Sequence, residues 1–269
     1  MRRPVLVLGI IVAACAHAEQ PEHAAGRALT HLPLAWQLPR PSLTSEPVAS
    51  FAVLLPEATA PRRNIQLAAR ALNGVSVGVD AEASFNRLVG ERTEENGFVK
   101  ATTLFMGVER ADWGGGVCMV SSALFGALRF GGYEVTERHP HSRPRDYMPI
   151  GLDAAVNYPD LDLKFRNSRG RPMTLHTRMD EDVLLVSIES DVLPVSASTD
   201  WVPRPIVPPK TTEYRSAYVR KPSLHQAGEV GTPGDRTWRY SPAGVVLSVV
   251  DRSDYRPIDQ IVLVPSAGD

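Results

Sequence analysis

Residues 112–142 read DWGGGVCMVSSALFGALRFGGYEVTERHPHS. The three glycines, Gly114 to Gly116, free the backbone to turn sharply. Directly after them Val117, Val120, Leu124 and Leu128 recur at helical spacing, and Gly131-Gly132 ends the run. YEVTER at 133–138 then alternates with period two, as a half-buried strand does. A turn, a helix and a strand in succession predict an α+β fold, with a mixed or antiparallel sheet packed on a helix that carries Cys118 near its start. If the alternation continues, Tyr133, Val135, Glu137, His139 and His141 share one face, and Pro140 marks an edge or a strand end.

Working outward, FAVLL at 51–55 predicts a first strand. At 61–74, PRRNIQLAARALNG places Ile65, Leu67 or Ala68, and Leu72 at near-helical spacing between Pro61 and Gly74. The segment 75–103 is punctuated by glycine and reads as short strands and turns. Further strands are expected at 153–158, 161–166, 173–177 and 183–188; in the second, Asp162 reads as a solvent-facing residue opposite Leu161 and Leu163. WVPRPIVPPK at 201–210 reads as a boundary. The expected division is an export signal at 1–18, a proline-containing tether at 19–50, a main domain at 51–195, a proline-rich boundary at 196–210, and a small β module or sheet extension at 211–269.

The 269 residues, 43% of them hydrophobic, suffice for one sizeable core. With 29 basic and 30 acidic residues the formal charge is -1, which gives no field favouring nucleic acid, so none is expected as a partner. The start MRRPVLVLGIIVAACAHA has the basic end, short apolar run and small-residue exit of an export signal, too short to span a bilayer. Val12-Ala13-Ala14-Cys15 resembles a lipobox, with cleavage before a lipidated Cys15 that would tie the protein to a membrane. Ordinary cleavage after Ala18 is the alternative. Either outcome places the protein in the periplasm or at the cell surface and leaves Cys118 as the single thiol of an exported chain.

A cysteine attacks carbonyls as its thiolate, which a helix N-terminus favours. Backbone around Gly115, Gly116, Val117 and Met119 is then expected to supply oxyanion donors. The base must come from His141 or His139, delivered by the strand that follows the helix, and Asp153 is the preferred group to orient it, with Asp162 as the other acid. Cysteine, histidine and aspartate in this order are the arrangement of papain-like and transglutaminase-like enzymes. Two other readings stand beside it: a small apolar residue packed under a turn, and a zinc site built from Cys118, the two histidines and a carboxylate. Arg138, Arg143 and Arg145 read as solvated surface, or as contacts to a peptide carboxylate. No cofactor and no resident metal are expected.

Several separated motifs occur in a recognisable order: Arg63-Asn64-Ile65, Leu72-Asn73-Gly74, Ser84-Phe85-Asn86, Val89-Gly90, GGGVC, ERHPHS, GLDAAV and DLKFRN. Together they resemble the VanW family of bacterial envelope proteins, continuously from about residue 61 to 167 and more loosely to about 190. The resemblance implies an L,D-transpeptidase-like reaction on peptidoglycan stem peptides, in which Cys118 forms a thioester and passes it to another stem's amine. It also places the histidine motif at 138–142, so that Arg138, Ser142 and the nearby Tyr147 are expected at the substrate, and implies as the alternative a non-catalytic cell-wall binding protein. The chain departs from the family at Met119, where glutamine is usual, and at Ser121-Ser122-Ala123, where threonines are usual. If that glutamine is an oxyanion donor, its loss is worth about 3 kcal/mol of transition-state stabilisation.

Overall fold

The computed structural model describes residues 47–105, 108–216, 221, 223–241 and 247–265. The export signal, Cys15 and nearly all of the tether lie outside the described residues. In chain order the first elements are β1 (Ala49–Leu54), α1 (Thr59–Leu72), β2 (Ser76–Val77), β3 (Glu82–Ser84) and α2 (Phe85–Val89). Then come β4 (Lys100–Phe105), β5 (Val108–Trp113), α3 (Val117–Phe130), β6 (Glu134–Glu137), β7 (Lys164–Arg166), β8 (Met173–Met179) and β9 (Val183–Ser190). The C-terminal part adds β10 (Ser196–Pro203), β11 (Thr211–Ser216), β12 (Ser223–Gln226), β13 (Gly234–Ser241), β14 (Leu247–Ser253) and β15 (Gln260–Pro265).

The described chain is mostly strand, paired antiparallel except for β11 with β15. An antiparallel sheet in the order β1-β9-β8-β2 forms one wall, and α3 lies across β1 and β9 with α1 beside it. The apolar stripe of α3 is buried, as its spacing predicts, but so are Ser121, Ser122 and Arg129 on its other faces. The helix is central, covered on several sides, and its polar side chains are therefore all engaged. Gly126 shows how close the sheet comes: a Cβ there would stand 2.6 Å from the Phe51 ring. Around this core sit a β3-β7-β6 sheet and the β4-β5 hairpin.

Three expectations change. The segment 153–158 forms no strand; it makes isolated bridges, from Ala155 to His139, with a 2.7 Å bond from Ala155 N to His139 O, and from Asn157 to Leu161. Regular alternation stops at Glu137 after a register shift, so period two does not extend to the histidines. Asp162 is 5% exposed rather than solvated. Its carboxylate accepts from Asn86 N and Leu163 N, both at 2.8 Å, and from Ser84 Oγ, and so caps the short helix α2.

Beyond 195 the proline-rich stretch begins as strand: β10 pairs along its whole length with β13, which pairs in turn with β14. This sheet docks on the end of α3 through buried groups. Arg129 bonds Asp251 through two nitrogens, Trp238 Nε1 donates to Asp251 Oδ2 at 2.7 Å, and the Trp238 ring meets Phe130 edge-on with centroids 5.0 Å apart.

Candidate active site

The turn before α3 is built for close approach. Gly114 and Gly116 have φ of +75° and +100°, which glycine alone adopts cheaply. A Cβ on Gly115 would stand 2.6 Å from Ala101 O. Buried Asn64 clamps the turn, donating to Gly115 O and Val99 O and accepting from Val99 N, each at 2.9 Å. Val117 N and Met119 N are spent on Gly114 O and Gly116 O, at 3.0 and 2.9 Å. Between them Cys118 N–H points from the first turn, where amides have no intrahelical acceptor. The Met119 side chain is buried in the core.

Cys118 is partly accessible. Its sulfur lies 3.5 Å from Val156 O and is hydrogen-bonded to the His141 ring. His141 Nδ1 stands 2.8 Å from Asp153 Oδ2, which also accepts from His141 N at 2.6 Å. With Nδ1 committed to the carboxylate, Nε2 is the ring nitrogen that faces the thiol. Asp153, 1% exposed, accepts further from Tyr255 Oη–H and from Arg138 Nη2 at 3.1 Å. Arg138 is itself anchored to Asp153 O at 2.7 Å, and to Arg252 O and Ser253 Oγ at 2.9 Å.

The electrostatics follow from these contacts. Burial pushes the Cys118 thiol up, but the His141 hydrogen bond and charge, the Val156 backbone and the Arg92 charge outweigh it and hold the thiol below its ordinary value. Burial opposes a charged His141, yet Asp153 and Cys118 push it up to about 9. Asp153 is likewise penalised by burial and held at about 2 by His141 and Arg138. A thiolate–imidazolium pair backed by a carboxylate is the state these shifts favour near neutral pH.

Each expected residue has a place. Cys118, His141 and Asp153 come together; His139 does not, its ring bonding Glu137 Oε1 at 2.9 Å. Arg138, expected at the surface or on substrate, is a buried support with a side chain 5% exposed. Arg143 pairs with Glu229, and the Arg145 guanidinium lies 5.6 Å from the centroid of the Tyr147 ring. Burial pushes the Tyr147 hydroxyl well up, with the Cys118 charge adding to it, so it stays protonated. Ser142 O accepts from Arg256 N at 3.0 Å. Below Cys118, Ser121 Oγ donates to Ala154 O at 2.7 Å and Ser122 Oγ accepts from Ala154 N at 3.0 Å, which ties α3 to the residue after Asp153. A separate cleft of about 400 Å³, lined by Arg63, Phe98, Lys100 and Trp113 among others, includes neither Cys118 nor His141. Among the described residues no group of three His, Cys, Asp or Glu side chains converges as a metal site.

The family described as VanW like protein matches residues 61–189, the stretch that holds Cys118, His141 and Asp153. That stretch, a little under half of the chain, is similar to the VanW-like family. Over 131 residues the chain is 33% identical to "Uncharacterized protein YoaR" of Bacillus subtilis (strain 168), covering 48% of this chain and 43% of that one. Over 136 residues it is 26% identical to "Vancomycin B-type resistance protein VanW" of Enterococcus faecalis (strain ATCC 700802 / V583), covering 49% and 50%. The chain thus spans about half the length of the curated relatives it matches. A solved structure, "Crystal structure of HP0197-G5", aligns with 26% of this chain and 96% of its own, at 16% identity and a TM-score of 0.18.

Two groups at the VanW-like site lie outside what sequence reasoning found. Tyr255 comes from beyond the family match, in a tail with no motif to mark it. Arg92 lies in the mixed segment after α2, where no periodicity distinguishes one arginine from another.

Proposed function

We propose that the protein acts at the bacterial cell wall, exported and held to a membrane through Cys15, and that Cys118 carries acyl transfer on peptidoglycan stem peptides. The observation that supports this reading is His141 standing between Cys118 and Asp153, the relay of papain-like and transglutaminase-like catalysis. A relative named for vancomycin resistance supports the cell wall as the place of action.

The Cys118 thiolate attacks a stem carbonyl, and the negative charge that develops on its oxygen faces the Cys118 amide at the start of α3. The peptide C–N bond breaks, the His141 imidazolium gives its proton to the leaving amine, and a thioester on Sγ remains. A second stem's amine then attacks the thioester while His141 takes its proton. The new amide departs and the thiolate returns. Water in place of the amine gives hydrolysis. Asp153 holds the imidazole in one tautomer throughout.

The test is mass spectrometry of muropeptides after isolated peptidoglycan is incubated with the wild type and with Cys118→Ala. New cross-links or shortened stems with the wild type alone are expected. Identical muropeptides from both proteins overturn the reading.

A further inference from the structure

We propose that Arg92 receives the free α-carboxylate of the substrate's terminal residue, so that the Cys118 site cleaves at the end of a peptide rather than within it. This rests on the acyl-transfer reading above and specifies its substrate.

The argument starts from where the Arg92 side chain lies. Its stem packs on the first glycine of the turn before Cys118: a Cβ added to Gly114 would stand 2.6 Å from Arg92 Cγ and 2.8 Å from Arg92 Cβ. Its guanidinium lies 6.0 Å from the centroid of the Tyr158 ring, two residues after the Val156 carbonyl that touches the Cys118 sulfur. Arg92 therefore lies between the turn that precedes Cys118 and the Tyr158 ring, close enough for its charge to act on the thiol.

The guanidinium is also held in place without being neutralised. Nη1 donates to Gly90 O and Nη2 to Asn86 Oδ1, both at 2.8 Å, and the group lies 5.6 Å from the Phe85 ring centroid. Both acceptors are neutral. Arginine carries five N–H donors, and the remaining ones meet no acceptor among the described residues. The nearby acid, Asp162, is already occupied in capping α2. Other arginines around the site have such partners: Arg138 has Asp153, and Arg143 has Glu229. A half-buried, oriented guanidinium with no carboxylate, beside a thiol that attacks acyl carbons, is suited to a carboxylate supplied by the substrate. In the acyl step the terminal residue would leave with its amine protonated by His141 and its carboxylate still on Arg92.

The experiment measures binding in full-length Cys118→Ala, which cannot turn over. The probes are a stem tetrapeptide as free acid and as C-terminal amide, together with N-acetyl-D-alanine and its amide. The acids are expected to bind about tenfold more tightly than the amides, as one charge-assisted contact implies. Arg92→Gln in the same background is expected to abolish that preference and Arg92→Lys to retain part of it. Equal affinity for acid and amide in the Arg92-containing protein overturns the proposal, as does a preference that survives Arg92→Gln. N-acetyl-D-alanine separates the two levels. Its acid-selective binding with no binding of the stem peptide supports the Arg92 site and counts against the stem substrate, and non-selective stem binding does the reverse.

Discussion

Tyr255 Oη donates its proton to Asp153 Oδ1, joining residues 102 positions apart in the chain. The same hydroxyl accepts from Gly151 N at 2.9 Å, so Tyr255 fixes both the acid and the turn that leads into it. The carboxylate behind His141 is thus held partly by sequence outside the family match.

Tyr255→Phe tests that dependence. The ring is 1% exposed, and phenylalanine fills the space while leaving Asp153 Oδ1 and Gly151 N one partner short. A loss of about 1–3 kcal/mol in urea unfolding is expected for such a deletion. A carboxylate that loses a donor also titrates at higher pH, so the acid limb of Cys118 reactivity should move upward. Unchanged stability and an unchanged acid limb would count against Tyr255 as a support of the site.

The pH dependence of the thiol follows from the shifts on both partners. Cys118 lies below its ordinary value, so its thiolate forms as pH rises through a point below the usual ~8.5. His141, pushed up to about 9, keeps its proton until pH passes that value. The ion pair fills the window between. Iodoacetamide should therefore alkylate Cys118 rapidly near neutral pH. In His141→Ala, burial is left with only the Val156 backbone and Arg92 to oppose it, so the inflection should rise and the neutral rate fall about tenfold or more. His139→Ala should leave the profile in place, because that ring bonds Glu137. Equal effects of the two substitutions would remove the distinction drawn between the histidines.

The local parts of this site were legible in sequence, and the reason is physical. Glycine at 114–116, a 3.6-residue stripe and a glycine stop are signals carried by neighbours in the chain, and the turn and α3 follow them. His141 and Asp153 were readable as residue types that acyl transfer needs, though not through the strand alternation invoked for them, which ends at Glu137. What sets their chemistry is long-range. Asp162 was misplaced because its role depends on Ser84 and Asn86, and Arg138 because its partners are Asp153 and Ser253. Alternation within one segment carries no information about a partner a hundred residues away.

The turn glycines should be separable by substitution. Gly115→Ala puts a Cβ 2.6 Å from the Ala101 carbonyl oxygen, a backbone atom that cannot swing aside. Gly116→Ala combines a φ of +100° with a Cβ 3.0 Å from Pro61. Each is expected to cost about 1–3 kcal/mol in urea unfolding and to slow Cys118 alkylation, since both move the start of α3. Gly78→Ala is the control: its φ is not left-handed and a Cβ there meets nothing within 4 Å, so a change inside about 0.5 kcal/mol is expected. A Gly115→Ala protein as stable as the control would show that the turn can relax.

The joint between α3 and the C-terminal sheet should behave as a coupled network. Arg129 and Asp251 are 6% and 7% exposed and bond each other directly, and Trp238 Nε1 shares the same carboxylate. Asp251→Ala strands a buried guanidinium and an indole N–H together, for which a loss of about 3–5 kcal/mol is expected. Arg129→Met strands the carboxylate and should cost a similar amount. Asp251→Leu with Arg129→Met removes both charges, and because much of each single loss is the desolvation of the abandoned partner, the double variant should be less destabilised than the sum of the two. Urea unfolding of the two singles and the double measures the difference. Additive losses would mean that the two charges are stabilised separately rather than by each other.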